Sequence, residues 1–450
     1  MNNYIKKNRI HLLLTKRDSF LKVGLKFFKN FFIFLRREFS LPRYFKLIKI
    51  KTMINRALFF LFFLLLPTQL GKHFFFPFSY INGVRVDYLA PTAYLIDIIV
   101  FLLVIFNFKI VFKFFQNKKV FIGLFLLLIN VLFSRLPVIS FYWLIKIIEF
   151  LTVFSLAKKM LKTLKEKSIL TAFLLSGLFE LFLSIAQFIN QHSVQGIFYY
   201  FGERLISLSM PGVAKASLRG IELLRPYGTF SHPNSLAGFF LVLYFFVLTN
   251  KKFNRYLVLK YLFLLVSSLL IFLSFSKIAI LTYLFLSIIY YLKSSIKIKC
   301  RLCVLARLFI TIVVSFIFLQ ATTDPATIGK RMELIKNSIT IIFCYPIYGV
   351  GLRSYLIEQA KFSSKYYLFF NQPVHNIFLL YFSELGTVVG GLIVFLSLAK
   401  INQLIKISSY VFFAIILTGL FDHYWLTLQQ NFLLMGSIMG VILSQVSPVD

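Results

Sequence analysis

Acidic side chains are scarce in this chain, and so is charge of any kind. Of 450 residues only 15 are Asp or Glu, and 14% are charged, which excludes a soluble globular domain of this length. The acids expected to face outward, Asp87, Glu203, Glu222, Asp324, Glu333, Glu358 and Asp422, are scattered. They offer no carboxylate pair of the kind that holds Mg²⁺ or Mn²⁺, so no metal and no cofactor is expected. Cysteine is nearly absent too: Cys300, Cys303 and Cys344 are the whole complement, which excludes a disulfide framework. Cys300-Arg-Leu-Cys303 has the spacing of half a zinc site, but it lacks a second pair and a nearby histidine and reads as scattered thiols. A cleavable signal peptide is not expected either, because the basic N-terminal region is too long and no small-residue cleavage site follows it.

What fills the chain instead is apolar. Hydrophobic residues make up 59% and the mean hydropathy is +0.82, the composition of an all-α, polytopic integral membrane protein. Apolar runs over residues 54–70, 93–109, 120–134, 138–157, 169–189, 229–249, 258–275, 278–292, 306–320, 377–398, 408–421 and 430–445 predict about 12 transmembrane helices. The net charge of +35 could point to nucleic acid. Its Lys and Arg come as short clusters between apolar runs, however, which is the pattern of cytoplasmic loops rather than of a nucleic-acid groove.

Two domains are expected. Residues 1–52 mix basic clusters with short apolar stretches and contain no run long enough to span a membrane. They read either as a basic amphipathic extension on the cytoplasmic membrane surface or as a misassigned start, with Met53 the real beginning. Residues 53–450 form the polytopic domain. With a cytoplasmic N-terminus, the basic loops at 109–119, 158–167, 251–255, 293–307 and 400–406 all fall inside, and the C-terminus is cytoplasmic as well. Two long loops, about 190–228 and 321–376, then face outward, where long loops carry function.

The outward connections hold the residues that could carry chemistry. Arg225-Pro-Tyr-Gly-Thr-Phe-Ser-His-Pro-Asn234 leads into the sixth run. Thr229 or Ser231 is the expected helix cap, and an arginine beside a helix N-terminus makes an anion site. Ser276-Lys277 opens the eighth run, where Lys277 either pairs with a substrate or snorkels to the interface. Lys330-Arg331 begins a segment with Met332, Ile335, Ile339 and Ile342 at helical spacing. It is expected on the membrane surface, with Glu333, Lys336 and Asn337 towards water.

Pro373-Val374-His375-Asn376 ends the second long loop, immediately before the run 377–398. A lone histidine beside apolar residues is more often structural. Here the positive end of a helix dipole is expected to keep His375 neutral and able to act as a base. Glu384, nine residues on, falls on the opposite helix side and is not expected to orient it. Gly386-x-x-x-Gly390 reads as a close-packing face. Together Arg225, Lys277, Arg331 and His375 describe a pocket for a highly charged anion at the membrane surface, and a lipid-linked diphosphate fits that description.

At these residues the chain resembles the O-antigen ligase and polymerase family of bacterial membrane glycosyltransferases. The carriers are Arg225-Pro-Tyr-Gly-Thr-Phe-x-His-Pro-Asn234, Ser276-Lys277, Arg331 followed by Pro346-x-x-Gly349-x-Gly351, and His375-Asn376-x9-Gly386. The resemblance implies a metal-independent, inverting transfer from an undecaprenyl-diphosphate-linked glycan to an acceptor hydroxyl at the outer face of the cytoplasmic membrane. In it His375 activates the acceptor, while Arg225, Arg331 and Lys277 bind the diphosphate. The chain departs from the family pattern at Lys277, where arginine is more usual, and at Val389, where a glycine is common.

The acceptor could be a glycan, a lipid or a protein, with polymerisation slightly preferred over ligation. The competing class is a polytopic transporter or lipid-linked glycan flippase. That class predicts charge along a cavity within the spans and two related halves.

Overall fold

The computed structural model describes residues 41–295, 301–321, 326–362 and 371–445, without the side chains of 41–49, 294–295, 301–304 and 326–327. The chain divides into two units, Met1–Arg56 and Ala57–Asp450. The first is described only from Leu41, where helix α1 (Leu41–Leu65) begins and continues without a break through Met53. The rest of the predicted N-terminal extension lies outside the described residues, as do the thiols of Cys300 and Cys303. Cys344 is a free, exposed thiol.

The described chain is mostly helical. After α1 come α2 (Leu95–Phe115), α3 (Lys118–Leu132), α4 (Pro137–Thr163), α5 (Glu166–Asn190), α6 (Pro233–Thr249), α7 (Leu257–Leu273), α8 (Lys277–Ser295) and α9 (Arg301–Leu319). They are followed by α10 (Ala326–Cys344), α11 (Ile377–Leu385), α12 (Thr387–Ile407), α13 (Ser409–Gly419) and α14 (Gln429–Ser444). Strands among the described residues form three antiparallel ribbons: β1 (Gly71–His73) with β4 (Thr92–Tyr94), β2 (Tyr80–Ile81) with β3 (Val84–Arg85), and β5 (Lys215–Leu218) with β6 (Ile221–Leu224). Every apolar run predicted from the sequence contains helix.

Among the described residues, five helices are long and apolar enough to cross a membrane: α2, α4, α5, the stretch Lys251–Leu273 that includes α7, and α12. Others, such as α6 and α13, are apolar but shorter. The faces turned away from the protein fit a lipid solvent. On α2 Phe101, Ile105, Phe108 and Phe112 are exposed, and on α9 Leu305, Phe309, Ile312 and Phe316 are exposed. Stripes at this spacing place a large apolar area outside, as a bilayer requires and water does not allow.

At the centre stands α6, buried on every side from Pro233 to Val247. A helix apolar all round has no solvent face, and neighbours must cover it completely. Here α7, α13, α14 and α8 pack against it. Farther out α14 packs on α4 and α7 on α5, with phenylalanine rings meeting edge-on, as Phe173 does with Phe63 and Phe230 with Phe239.

The predicted single run over 377–398 is two helices. Gly386, at φ 73°, ends α11 and starts α12. The proposed packing face at Gly386 is therefore a backbone break, and a loop fills it. Val350 and Gly351 donate to the carbonyls of Ser383 and Glu384, and Val388 and Val389 donate to those of Pro346 and Ile347. The carbonyl groups freed at a helix break need such partners when buried. A Cβ on Gly349 would lie 2.5 Å from Glu384 backbone atoms, so this contact tolerates only glycine there.

The loops predicted over 190–228 and 321–376 carry structure of their own: a one-turn helix at Ile197–Tyr200 and the β5–β6 ribbon in the first, α10 and a one-turn helix at Tyr355–Gln359 in the second. On α10 Met332 and Ile339 are exposed, whereas Leu334, Asn337, Ser338 and Ile341 face the protein. Asn337 is thus buried rather than turned to water, because it shares with Leu334, Ser338 and Ile341 the face of α10 that packs towards the protein, where α11 lies.

Candidate active site

The site is assembled by helix termini that the sequence keeps far apart. Asn376 caps α11: its Oδ1 accepts from the N–H groups of Phe378 (2.9 Å) and Leu379 (3.0 Å), satisfying two of the free donors that a helix start leaves. Its Nδ2 donates to the Leu420 carbonyl at 3.0 Å, tying the start of α11 to the end of α13. Gly419 allows that approach, since a Cβ there would meet Ile377 at 2.5 Å. The two bonds hold His375, just before the cap, beside Asp422, just past the tether.

The imidazole Nδ1 of His375 lies 3.7 Å from Asp422 Oδ1. Asp422 is 4% exposed; its Oδ1 also accepts from the His423 N–H at 2.8 Å and its Oδ2 from Asn234 Nδ2 at 2.7 Å. Asn234 in turn accepts from Arg225 Nη2 at 2.5 Å, and Arg225 Nε donates to the Ser274 carbonyl at 2.8 Å. Hydrogen bonds therefore link Arg225 through Asn234 to Asp422, and the 3.7 Å ion-pair contact extends that line to His375, across four segments of the fold.

The helix at the other end of that line, α6, is capped by His232, not by Thr229 or Ser231. His232 Nδ1 accepts from the Asn234 N–H at 3.1 Å. Thr229 is used elsewhere, donating through Oγ1 to Glu180 (2.6 Å) and the Pro67 carbonyl (3.0 Å).

Electrostatics follow from this burial. Removal from water pushes His232 down to about 3, helped by the Arg225 charge, so it stays an unprotonated acceptor at its cap. Burial likewise pushes His423 down to about 3; its ring lies 5.2 Å from that of His375 and its Nδ1 pairs with Thr427 Oγ1 at 2.8 Å. Burial acts on Asp422 in the opposite sense, but its contact with His375 and the fields of three histidines outweigh it and hold the carboxyl well below its usual range. Burial lowers Arg225 to about 10, partly offset by Tyr227 and Asp422, and it remains a cation at neutral pH.

His375 opens onto a cavity of about 790 Å³. Its wall includes His232, Asp422, His423, Arg353, Arg85 and Arg204, with the aromatic rings of Tyr88, Tyr94, Tyr142, Trp143, Tyr199, Tyr200 and Tyr424. Of the residues singled out in the sequence, His375 lines it. Arg225 and Arg331 are not in its wall, although the Arg331 charge reaches both Arg225 and His423. The Nε of Arg331 is buried with no hydrogen-bond partner among the described residues. Lys277 heads α8, is exposed, and does not line the cavity.

Sequence reasoning missed Asp422, Asn234, His423 and Arg353. Asp422 was set aside as one of several scattered acids; the available signal was the pair Asp422-His423 between two apolar runs. His375, Asp422 and His423 bring three ligand atoms within 4.8 Å of one another, residue types that hold transition metals. The acid is thus not isolated. The same groups also bond within the protein: both Asp422 oxygens accept N–H bonds and His423 Nδ1 pairs with Thr427.

No protein-family model matches the chain, and no curated protein does either.

Proposed function

We propose that this chain is a membrane glycosyltransferase that moves a glycan from a polyprenyl-diphosphate donor to an acceptor hydroxyl at the outer face of the cytoplasmic membrane, in surface polysaccharide polymerisation or ligation. The reading rests on the resemblance to the O-antigen ligase and polymerase family together with one observation: His375, backed by the buried Asp422, opens onto a large cavity rich in aromatic and cationic groups.

In this reading Asp422 holds Nδ1 of His375, and Nε2 meets the acceptor. Nε2 takes the hydroxyl proton as the oxygen attacks the anomeric carbon on the face opposite the diphosphate. The bond from that carbon to the diphosphate oxygen breaks and its electron pair leaves with the diphosphate, inverting the centre. Asp422 stabilises the imidazolium formed, as an acid does behind a catalytic histidine. Arg225 and Arg331 offset the charge on the leaving diphosphate; Lys277, exposed and outside the cavity wall, takes no part in it. Arg225 uses Nε and Nη2 within the protein and contributes field more than contacts.

Topology supports the same reading. The cavity wall draws on residues 69–94, 142–143, 199–205, 231–232, 353, 371–375 and 422–429. None comes from the basic connections at 109–119, 158–167, 251–255, 293–307 or 400–406. With about twelve crossings and cytoplasmic termini, the positive-inside rule puts the cavity outside, where lipid-linked glycans are consumed.

One observation favours transport. Lys146 on α4, 3% exposed, pairs with Asp97 at 2.5 Å and Glu149 at 3.4 Å. Gln429, which also lines the cavity, donates to both acids. Ionisable groups within spanning helices often mark an ion or substrate path.

The deciding test measures transfer from a purified polyprenyl-diphosphate glycan by the parent and by stably inserted His375→Ala and Arg225→Ala. Transfer by the parent and its loss in both variants is expected. Full transfer by the variants removes the site, and flipping without transfer in vesicles establishes the transporter.

A further inference from the structure

Arg353 is an outlier in three respects. Its backbone is left-handed, at φ 59°, a conformation that strains a residue other than glycine. It is 8% exposed, yet Nε and Nη1 are buried with no hydrogen-bond partner among the described residues. And its guanidinium carbon lies 4.3 Å from the Tyr88 ring centroid and 4.1 Å from that of Trp143.

The rings fix what such a group can bind. Cation–π contact with both rings is attractive but satisfies no N–H. The guanidinium carbon packs on both rings, while Nε and Nη1, adjacent donors in one plane, are left for a ligand. An in-plane fork of N–H groups matches a planar carboxylate with two parallel bonds. Arg353, Tyr88 and Trp143 all line the cavity that His375 opens onto, beside Tyr94 and Tyr142, and aromatic rings suit sugar faces. The acid whose field reaches Arg353, Glu384, is already bonded to the Tyr88 hydroxyl.

We infer that Arg353, held by Tyr88 and Trp143, is a subsite for the carboxylate of an acidic sugar residue in the glycan. This deepens the glycosyltransferase reading and rests on it for the word glycan; the binding itself requires no transfer. The subsite is separate from the diphosphate site, which uses Arg225 and Arg331.

Equilibrium binding to the purified full chain in detergent tests it, with a glucuronate-bearing oligosaccharide and its neutral glucose counterpart as probes. The parent should prefer the acidic probe. Arg353→Gln should weaken that binding about tenfold to a hundredfold, the equivalent of one bidentate charged contact, and leave the neutral probe unchanged. Arg353→Lys should lose most of the preference despite keeping its charge. Arg353→Gly, which suits the left-handed backbone, should melt no lower than Arg353→Gln and still lose it.

Equal binding of the two probes by the parent overturns the inference, as does retention of the preference in a folded Arg353→Gly. So does transfer that Arg353→Gln impairs equally with acidic and neutral donors, which would put Arg353 at the diphosphate. Arg353-dependent preference in a protein that transfers nothing would sink the glycosyltransferase reading alone.

Discussion

His375 acts, in the proposed reaction, through a carboxylate 47 residues away, and the chain of bonds behind that carboxylate determines how firmly it is held. Asp422→Asn keeps the shape but removes the charge that stabilises the imidazolium. It should lower kcat about a hundredfold or more with little change in the donor KM, since general-base catalysis is worth about 10²–10⁴-fold. A matching rise in KM would instead place Asp422 in donor binding. Metal removal bears on the same residues: transfer should survive a chelator, and added Zn²⁺ should inhibit it by occupying His375 and Asp422. Loss of transfer on chelation, restored by Zn²⁺, would convert the pair into a metal centre.

The buried histidines also set the response to acid. His232 and His423 are pushed down to about 3 from the ordinary histidine value of about 6.5, so between those values the unfolded chain binds protons that the folded one does not. Stability is therefore fully present above about 6.5 and lost as pH falls towards 3, at up to about 1.4 kcal/mol per pH unit for each histidine. Asp422, held below 3.8, adds to the loss at the acid end. Melting temperature in detergent should fall from pH 7 to pH 5, and less steeply in His232→Gln; an unchanged slope would mean that His232 is not buried neutral.

Among the elements, the break between α11 and α12 decides where the site sits. Were residues 377–398 one straight helix, the loop 346–351 would have no carbonyl groups to pair with, and Arg353, two residues beyond it, would lose its anchor. Gly386 and Gly349 make the break possible, the first by its φ of 73° and the second by contact with backbone. Gly349→Ala should therefore destabilise the fold by about 1–3 kcal/mol or more through strain and displaced backbone, seen as a lowered melting temperature with transfer lost in step. A neutral effect would show that the loop can part from the break. The sequence showed these glycines as punctuation in a turn and as a packing motif. Both readings are local, and the φ of a glycine is set by what crosses it from elsewhere in the chain.

For the molecule as a whole, the prediction concerns sidedness. In a background with the native cysteines replaced, Tyr200→Cys at the cavity mouth should react with a membrane-impermeant thiol reagent on intact cells, and Lys252→Cys in a basic connection only after permeabilisation. The reverse labelling would invert the topology and remove the donor from the site's reach. The apolar runs, their helical character and the basic connections were legible in the sequence by itself, because hydropathy and charge along a chain are local quantities that a bilayer reads segment by segment. His375 was legible too, since a polar residue at the mouth of an apolar run is visible without knowing its neighbours. Only the tertiary structure decided which acid stands behind it, that Arg225 reaches it through Asn234, and that Arg353 packs on two aromatic rings. Those partners come from separate segments, and they meet because helices of fixed length pack around α6 and bring their ends to one cavity, a consequence of packing that no local pattern encodes.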